Sequence, residues 1–170
     1  MKNIVLLLLG LSLFSCTEKR QVSPNGKLEL VYTQADGSGH EFKIWYTDSN
    51  QRTEALDISA IGVQMADGVG KGLVLKDVIS GVKREGSYEM HAGKEKCIHY
   101  EANEYTYVFL DSLENEVRMV FRLYEDGVAF RYEIPHLKET RIEDELTTYR
   151  IPEGRKRWMQ SFDMSYERFF

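Results

Sequence analysis

Residues able to do chemistry are plentiful in this chain, yet few are spaced for it. The four histidines, His40, His91, His99 and His136, lack the spacing that sets two imidazoles on one metal, as in H-E-x-x-H. They read as surface or strand residues. Glu143, Asp144 and Glu145 place three carboxylates side by side, but without the glycine and alternating oxygens of a calcium-binding loop they make no calcium site. Arg122, Arg131 and Glu133 share one face of a strand pattern, where opposite charges on paired strands satisfy each other. A cross-strand ion pair is expected there, ahead of a sugar contact. Trp45, Trp158, Tyr88, Tyr100, Tyr105 and Tyr107 could stack on sugars, but aromatics at alternate strand positions more often fill a sandwich core. The convergent acid and base that an epimerase would require are not apparent.

The elements that must position these groups are strands. Val117, Met119, Phe121 and Leu123 lie on one face of a period-two segment, and Val128, Phe130, Tyr132 and Ile134 repeat the pattern after a turn. Glu125-Asp126-Gly127 joins them, with the glycine expected in the left-handed conformation that closes a three-residue loop. Ser23-Pro24-Asn25-Gly26 turns the chain into a strand over Lys27–Thr33, and Glu41–Thr47 pairs with it across the loop 35–39. Trp45 then faces either a second sheet or the surface. Glycines from Gly62 to Gly86 disfavour a long helix in that stretch. Tyr88–His91, Cys97–Glu101 and Glu104–Leu110 read as further short strands. Thr140 and Glu143 are spaced as a capping box, so Thr140–Leu146 is the one segment that could be helical. Turn signals every eight to twelve residues indicate an all-β fold, a β-sandwich.

Met1-Lys2-Asn3 and the apolar run from Ile4 to Phe14 have the layout of a secretory leader, too short to span a bilayer. Leu13-Phe14-Ser15-Cys16 reads as a lipobox, with Cys16 as the acylated first residue of the mature chain. Three segments follow: a signal peptide at 1–15, a tether at 16–22 and one domain from 23 to 170. The expected location is outside the cytoplasm, periplasmic or lipid-anchored to the bacterial outer membrane, since several acyl chains on one cysteine give stable anchoring. Beside Cys16 only Cys97 remains, which excludes a disulfide framework. Cys97 is expected to be a small buried residue. With 22 Lys and Arg against 27 Asp and Glu, the chain carries a net charge of −5, which argues against a nucleic-acid partner. The basic run Arg155-Lys156-Arg157 reads as a solvated turn.

Four stretches carry a family resemblance: S-P-N-G-K-L at Ser23–Leu28, G-K-E-K-C at Gly93–Cys97 with N-E-Y at Asn103–Tyr105, F-R-L-Y-E-D-G-V-A-F-R-Y-E at Phe121–Glu133, and R-W-M-Q with S-Y-E at Arg157–Glu167. They resemble the N-terminal domain of glycoside hydrolase family 97, bacterial α-glucosidases and α-galactosidases. The resemblance implies a sandwich like that of galactose mutarotase, the β-supersandwich, followed by a catalytic (β/α)₈ barrel. By it, the sequence is the first part of such a protein, with its sandwich incomplete at the C-terminal end and no catalytic residue of its own. It also implies a strand at Thr140–Leu146, a barrel-facing Trp158, and Glu167 as a calcium ligand whose companions come from the barrel. Calcium takes several oxygens, so Glu167 alone makes no tight site. The implied substrate is an α-linked oligosaccharide, cleaved with inversion by a glutamate base or retention by an aspartate nucleophile in different members. The G-K-E-K-C and R-W-M-Q stretches look closer to the α-galactosidase-like branch. The competing reading is a stand-alone surface lipoprotein that binds carbohydrate or protein without catalysis.

Overall fold

Period-two alternation gives strands throughout. The computed structural model describes residues 20–35, 39–135, 140–156 and 158, and among these it contains eleven strands and no helix. In chain order they are β1 (Gln21–Val22), β2 (Leu28–Ala35), β3 (Gly39–Asp48), β4 (Gln51–Ser59), β5 (Val63–Met65) and β6 (Val74–Glu89). After them come β7 (Cys97–Leu110), β8 (Glu116–Tyr124), β9 (Val128–Glu133), β10 (Ile142–Glu145) and β11 (Thr148–Arg150). One sheet has the order β1-β2-β3-β4-β11 and a second β6-β7-β8-β9, while β10 and β5 form a separate pair. All pairings are antiparallel. The fold is an all-β sandwich, as the sequence predicts.

Inward-facing side chains of the two larger sheets make one core. Leu28, Leu30, Phe42, Ile44 and Ile58 meet Tyr105, Tyr107, Phe109, Val117, Met119, Phe121 and Leu123. Phe42 sits at the centre, 4.7 Å from the rings of both Tyr107 and Phe121. Burial of such large aromatic and aliphatic groups is the main driving force for closing the sandwich. The short first strand is held across the sandwich by side chains: the Tyr105 hydroxyl accepts from the Val22 N–H and donates to the Val22 carbonyl, both at 2.8 Å. Asn103 Nδ2 also donates to that carbonyl at 2.8 Å.

Several local expectations are corrected. The stretch Val74–Glu89 is one long strand, β6, which takes in the start of the expected separate strand Tyr88–His91, because bulges after Leu75 and Ile79 absorb its irregularity and Gly81 takes a φ of 79°. Cys97–Glu101 and Glu104–Leu110 are likewise a single strand, β7. Thr140–Leu146 contains a strand, Ile142–Glu145, as the family resemblance implies, and pairing with β5 overrides the capping-box spacing. The β8–β9 turn closes with the Tyr124 N–H donating to the Gly127 carbonyl at 2.8 Å, and Gly127 stays outside the left-handed region. The β3–β4 hairpin, whose second strand the sequence pattern hides, turns on Ser49 and Asn50 with φ of 47° and 70°, the two left-handed positions of a tight turn.

Candidate functional site

The sandwich leaves an apolar groove along one side, where β9 and β11 are the edges of their sheets. Its volume is about 840 Å³, and Ile44, Leu56, Ile58, Phe130, Tyr132 and Tyr149 are among its lining. Phe130 and Tyr149 approach from opposite sheets with ring centroids 6.3 Å apart. Tyr132 fixes the far end, its hydroxyl accepting from the Gly62 N–H at 3.0 Å and lying 2.7 Å from Thr147 Oγ1. Burial pushes the Tyr132 phenol above its ordinary range.

Charged groups collect on the outer faces. On the β6–β9 sheet, Glu104 is buried although it points away from the core. It accepts from Arg84 Nη2 at 2.7 Å and Arg122 Nε at 2.7 Å, and Arg131 Nη1 lies 3.8 Å away. Burial alone would raise its carboxyl, but the two arginine hydrogen bonds and charges outweigh burial and hold it below the usual carboxylate range. Arg131 also donates to Glu133 at 2.8 Å along its own strand. The expected cross-strand ion pair therefore exists, but between Arg122 and Glu104 on β7 rather than with Glu133. Glu104 was not singled out by its sequence position because N-E-Y breaks no pattern.

On the other sheet, Asp57 is fully buried at its outer face and bonded by Arg150 from β11. Arg150 also donates to Glu41 at 3.3 Å, and Lys43 lies 3.7 Å from Glu41. Oδ1 of Asp57 has no hydrogen-bond partner. Burial, then the neighbouring Asp57, raise the Glu41 carboxyl. Asp111 plays a purely structural part at the β7–β8 turn: it accepts from the N–H groups of Leu113, Asn115 and Gly70 at 2.9, 2.8 and 3.0 Å. Those bonds outweigh burial and lower its carboxyl. Gly70 is required there, with a φ of 88° and a Cβ position that would lie 2.5 Å from the Val63 carbonyl oxygen.

The sequence-expected residues divide clearly. Glu167, the expected calcium ligand, and Cys16, the expected lipidation site, lie outside the described residues, as does His136. Trp158 is 94% exposed. Trp45 is half-buried, with the Arg52 guanidinium stacked 4.0 Å over its ring. Tyr105 and Tyr107 are core residues, whereas Tyr88 is exposed. His40, expected at the surface or on a strand, is on β3 and buried, its Nε2 2.8 Å from the Leu73 carbonyl and its Nδ1 2.9 Å from the Tyr32 hydroxyl. Cys97, expected to be buried, is exposed at the far end of β7, where the β6–β7 hairpin runs beyond the core. Glu143, Asp144 and Glu145 are exposed on β10. Among the described residues no group of three or more His, Cys, Asp or Glu side chains is placed to hold a metal ion.

Comparison with known proteins follows the fold. Residues 22–170 match the family described as Glycosyl-hydrolase 97 N-terminal. Among solved structures, a β-arabinopyranosidase superposes with a TM-score of 0.67 at 25% identity, covering 80% of this chain and 22% of that one. A glycoside hydrolase family 97 enzyme from Pseudoalteromonas sp. strain K8, solved as a variant with panose and also with acarbose, superposes with a TM-score of 0.61 at 19% identity. That likeness covers 76% of this chain and 20% of the enzyme, and it bears on the fold alone. The chain thus spans about a fifth of the length of these solved enzymes. No curated protein is similar enough to count as a relative. With residues 22–170 matched, this chain belongs to the glycoside hydrolase family 97 N-terminal family.

Proposed function

We propose that this chain is the non-catalytic N-terminal domain of an exported α-glycosidase, packing against a catalytic (β/α)₈ barrel and completing its active site. The observation that carries the reading is the family match over residues 22–170, on a sandwich whose charged clusters are internally paired. Glu104 and Asp57 are both buried, the first paired with Arg84 and Arg122 and the second with Arg150, and neither is poised as acid or base. Chemistry is accordingly assigned to barrel carboxylates. The substrate class is a terminal α-linked glucose or galactose, and the stretches at Gly93–Cys97 and Arg157–Gln160 favour the galactoside. Glu167 serves as a calcium ligand reaching from this domain, with barrel oxygens filling the rest of the sphere. Cys16 carries the lipid that holds the enzyme at the membrane.

The test is an assay of the full-length protein and of residues 16–170 alone against aryl α-glucosides and α-galactosides, with and without calcium. Calcium-dependent turnover by the full-length protein, and none by the domain, supports the reading. Turnover by the domain that disappears on changing one of its own carboxylates overturns it, and full-length protein that binds sugar without cleaving either substrate returns the surface-lipoprotein reading.

A further inference from the structure

The β6–β7 hairpin outruns its neighbour, and the corner it makes is built differently from the rest of the surface. Strand β8 ends at Tyr124, opposite Ala102, while β7 continues back to Cys97 with no partner on that side among the described residues. Gly86 lies opposite Tyr100, and Tyr88 opposite Ile98. Directly opposed residues of an antiparallel pair share a face, so Tyr88, Tyr100 and Tyr124 run diagonally across three strands on the face turned away from the core. Tyr100 and Tyr124 meet edge to face, with centroids 6.0 Å apart and planes at 68°. The Tyr100 ring rests on Gly86, where an added Cβ would lie 2.8 Å from its hydroxyl and 2.9 Å from Cζ. Glycine at 86 therefore seats that ring. Beside the two rings is an open cavity of about 710 Å³, edged by Glu125 and Asp126 of the β8–β9 turn; Glu101 projects to the other face of the hairpin, where it pairs with Lys83 at 3.0 Å.

We propose that this corner binds a neutral oligosaccharide, its apolar C–H face lying on Tyr100 and Tyr124 and its hydroxyls donating to Glu125 and Asp126. Two fixed aromatic planes offer the apolar body that a pyranose ring needs, with polar groups at the edge to orient it. The acidic rim repels anionic ligands, including nucleic acid and acidic sugars. A bound cation is disfavoured because no three of these acidic or histidine side chains are grouped for one ion among the described residues; carboxylates held apart suit separate hydroxyls instead. This inference rests on the α-glycosidase reading for its choice of sugar, and it describes a site made by residues of this domain itself. Such a site would hold the substrate chain near the enzyme without taking part in cleavage.

The experiment uses the full-length protein with isotope-labelled tyrosine, titrated with maltotriose and with raffinose while ring resonances are followed. The expected result is saturable movement of the Tyr100 and Tyr124 signals with one of the two sugars. In Tyr100→Ala the Tyr124 shift is lost, while Tyr100→Phe keeps it. Gly86→Val, which unseats the ring without removing it, weakens binding, and cleavage of a small aryl α-glycoside stays within twofold in all three variants. Sugar cleavage with no movement of these rings overturns the corner site and leaves the family reading standing. Ring shifts with sugar but no cleavage by the full-length protein support the corner and count against the glycosidase reading. Shifts caused only by an extended peptide added to the open β7 edge overturn the proposal.

Discussion

Arg150, on the three-residue edge strand β11, bonds the carboxylate of Asp57, which is fully buried on β4. The pair lies directly opposite in register, Arg150 against Asp57. It ties the last described strand to the five-stranded sheet beside the apolar groove. A buried carboxylate left without its cation is costly, because the charge has lost water and gained nothing. Arg150→Gln is therefore expected to release β11, seen as faster amide hydrogen exchange at 148–150 while the β7 and β8 amides stay protected. Unchanged exchange at β11 would show that backbone pairing alone holds it.

Two carboxyls should give opposite pH signatures. Glu104 has its carboxyl lowered in the folded state, so its stabilising contribution is present above the ordinary carboxylate range and is lost as pH falls through the depressed value. Glu41 has its carboxyl raised, so the folded state holds the extra proton between the ordinary and raised values, and stability falls as pH rises through that window. Glu104→Gln should cost about 1 to 3 kcal/mol at neutral pH, the usual penalty when a buried hydrogen-bond group is left unsatisfied. That difference should shrink on acidification, as urea unfolding from neutral to acid pH will read. Glu41→Gln should instead flatten the decline in stability above the ordinary carboxylate range.

Phe121 is the strongest single test of the core. It is fully buried and meets the rings of Phe42 at 4.7 Å, Phe130 at 5.6 Å and Tyr107 at 6.0 Å. Phe121→Ala should destabilise the domain by about 3 to 5 kcal/mol, from lost burial and the cavity left behind. Chemical denaturation monitored by tryptophan fluorescence measures it. A cost under about 1 kcal/mol would mean that the two sheets are not joined through this ring.

We propose that Cys16 is acylated, on the lipobox-like pattern Leu13-Phe14-Ser15-Cys16. Expression of the precursor in a bacterium fed labelled palmitate should label the wild type and leave Cys16→Ser unlabelled. Equal label in both contradicts it.

Much of the fold was legible in the sequence because inward positions alternate cleanly where one face is buried. Val117 to Leu123 and Val128 to Ile134 show this, as do Leu28 to Tyr32. Legibility failed where both faces are wet or the ladder is irregular: β4 alternates few apolar groups, and β6 contains Gly81 and Gly86 with two bulges, so period two is broken. Cys97 was misplaced for the same reason, since nothing local says that a hairpin outruns the core. The buried charges were illegible because burial of Glu104 and Asp57 comes from arginines brought by neighbouring strands, Arg150 from a strand late in the chain. The tyrosine corner depends on Gly86 facing Tyr100, a register that the spacing of neither residue reveals. Glu167 was singled out only through family resemblance.

The central claim is that this domain completes a calcium-dependent glycosidase through Glu167. Calcium takes roughly six to eight oxygens, and one carboxylate supplies at most two, so the domain alone should bind the ion no better than any acidic surface. The direct measurement is calcium affinity and α-glycosidase activity of the full-length protein beside its Glu167→Gln variant, which keeps the size and removes the charge. The account predicts a clear loss of both in the variant, with excess calcium restoring part of the activity. Unchanged calcium affinity together with unchanged activity would contradict it.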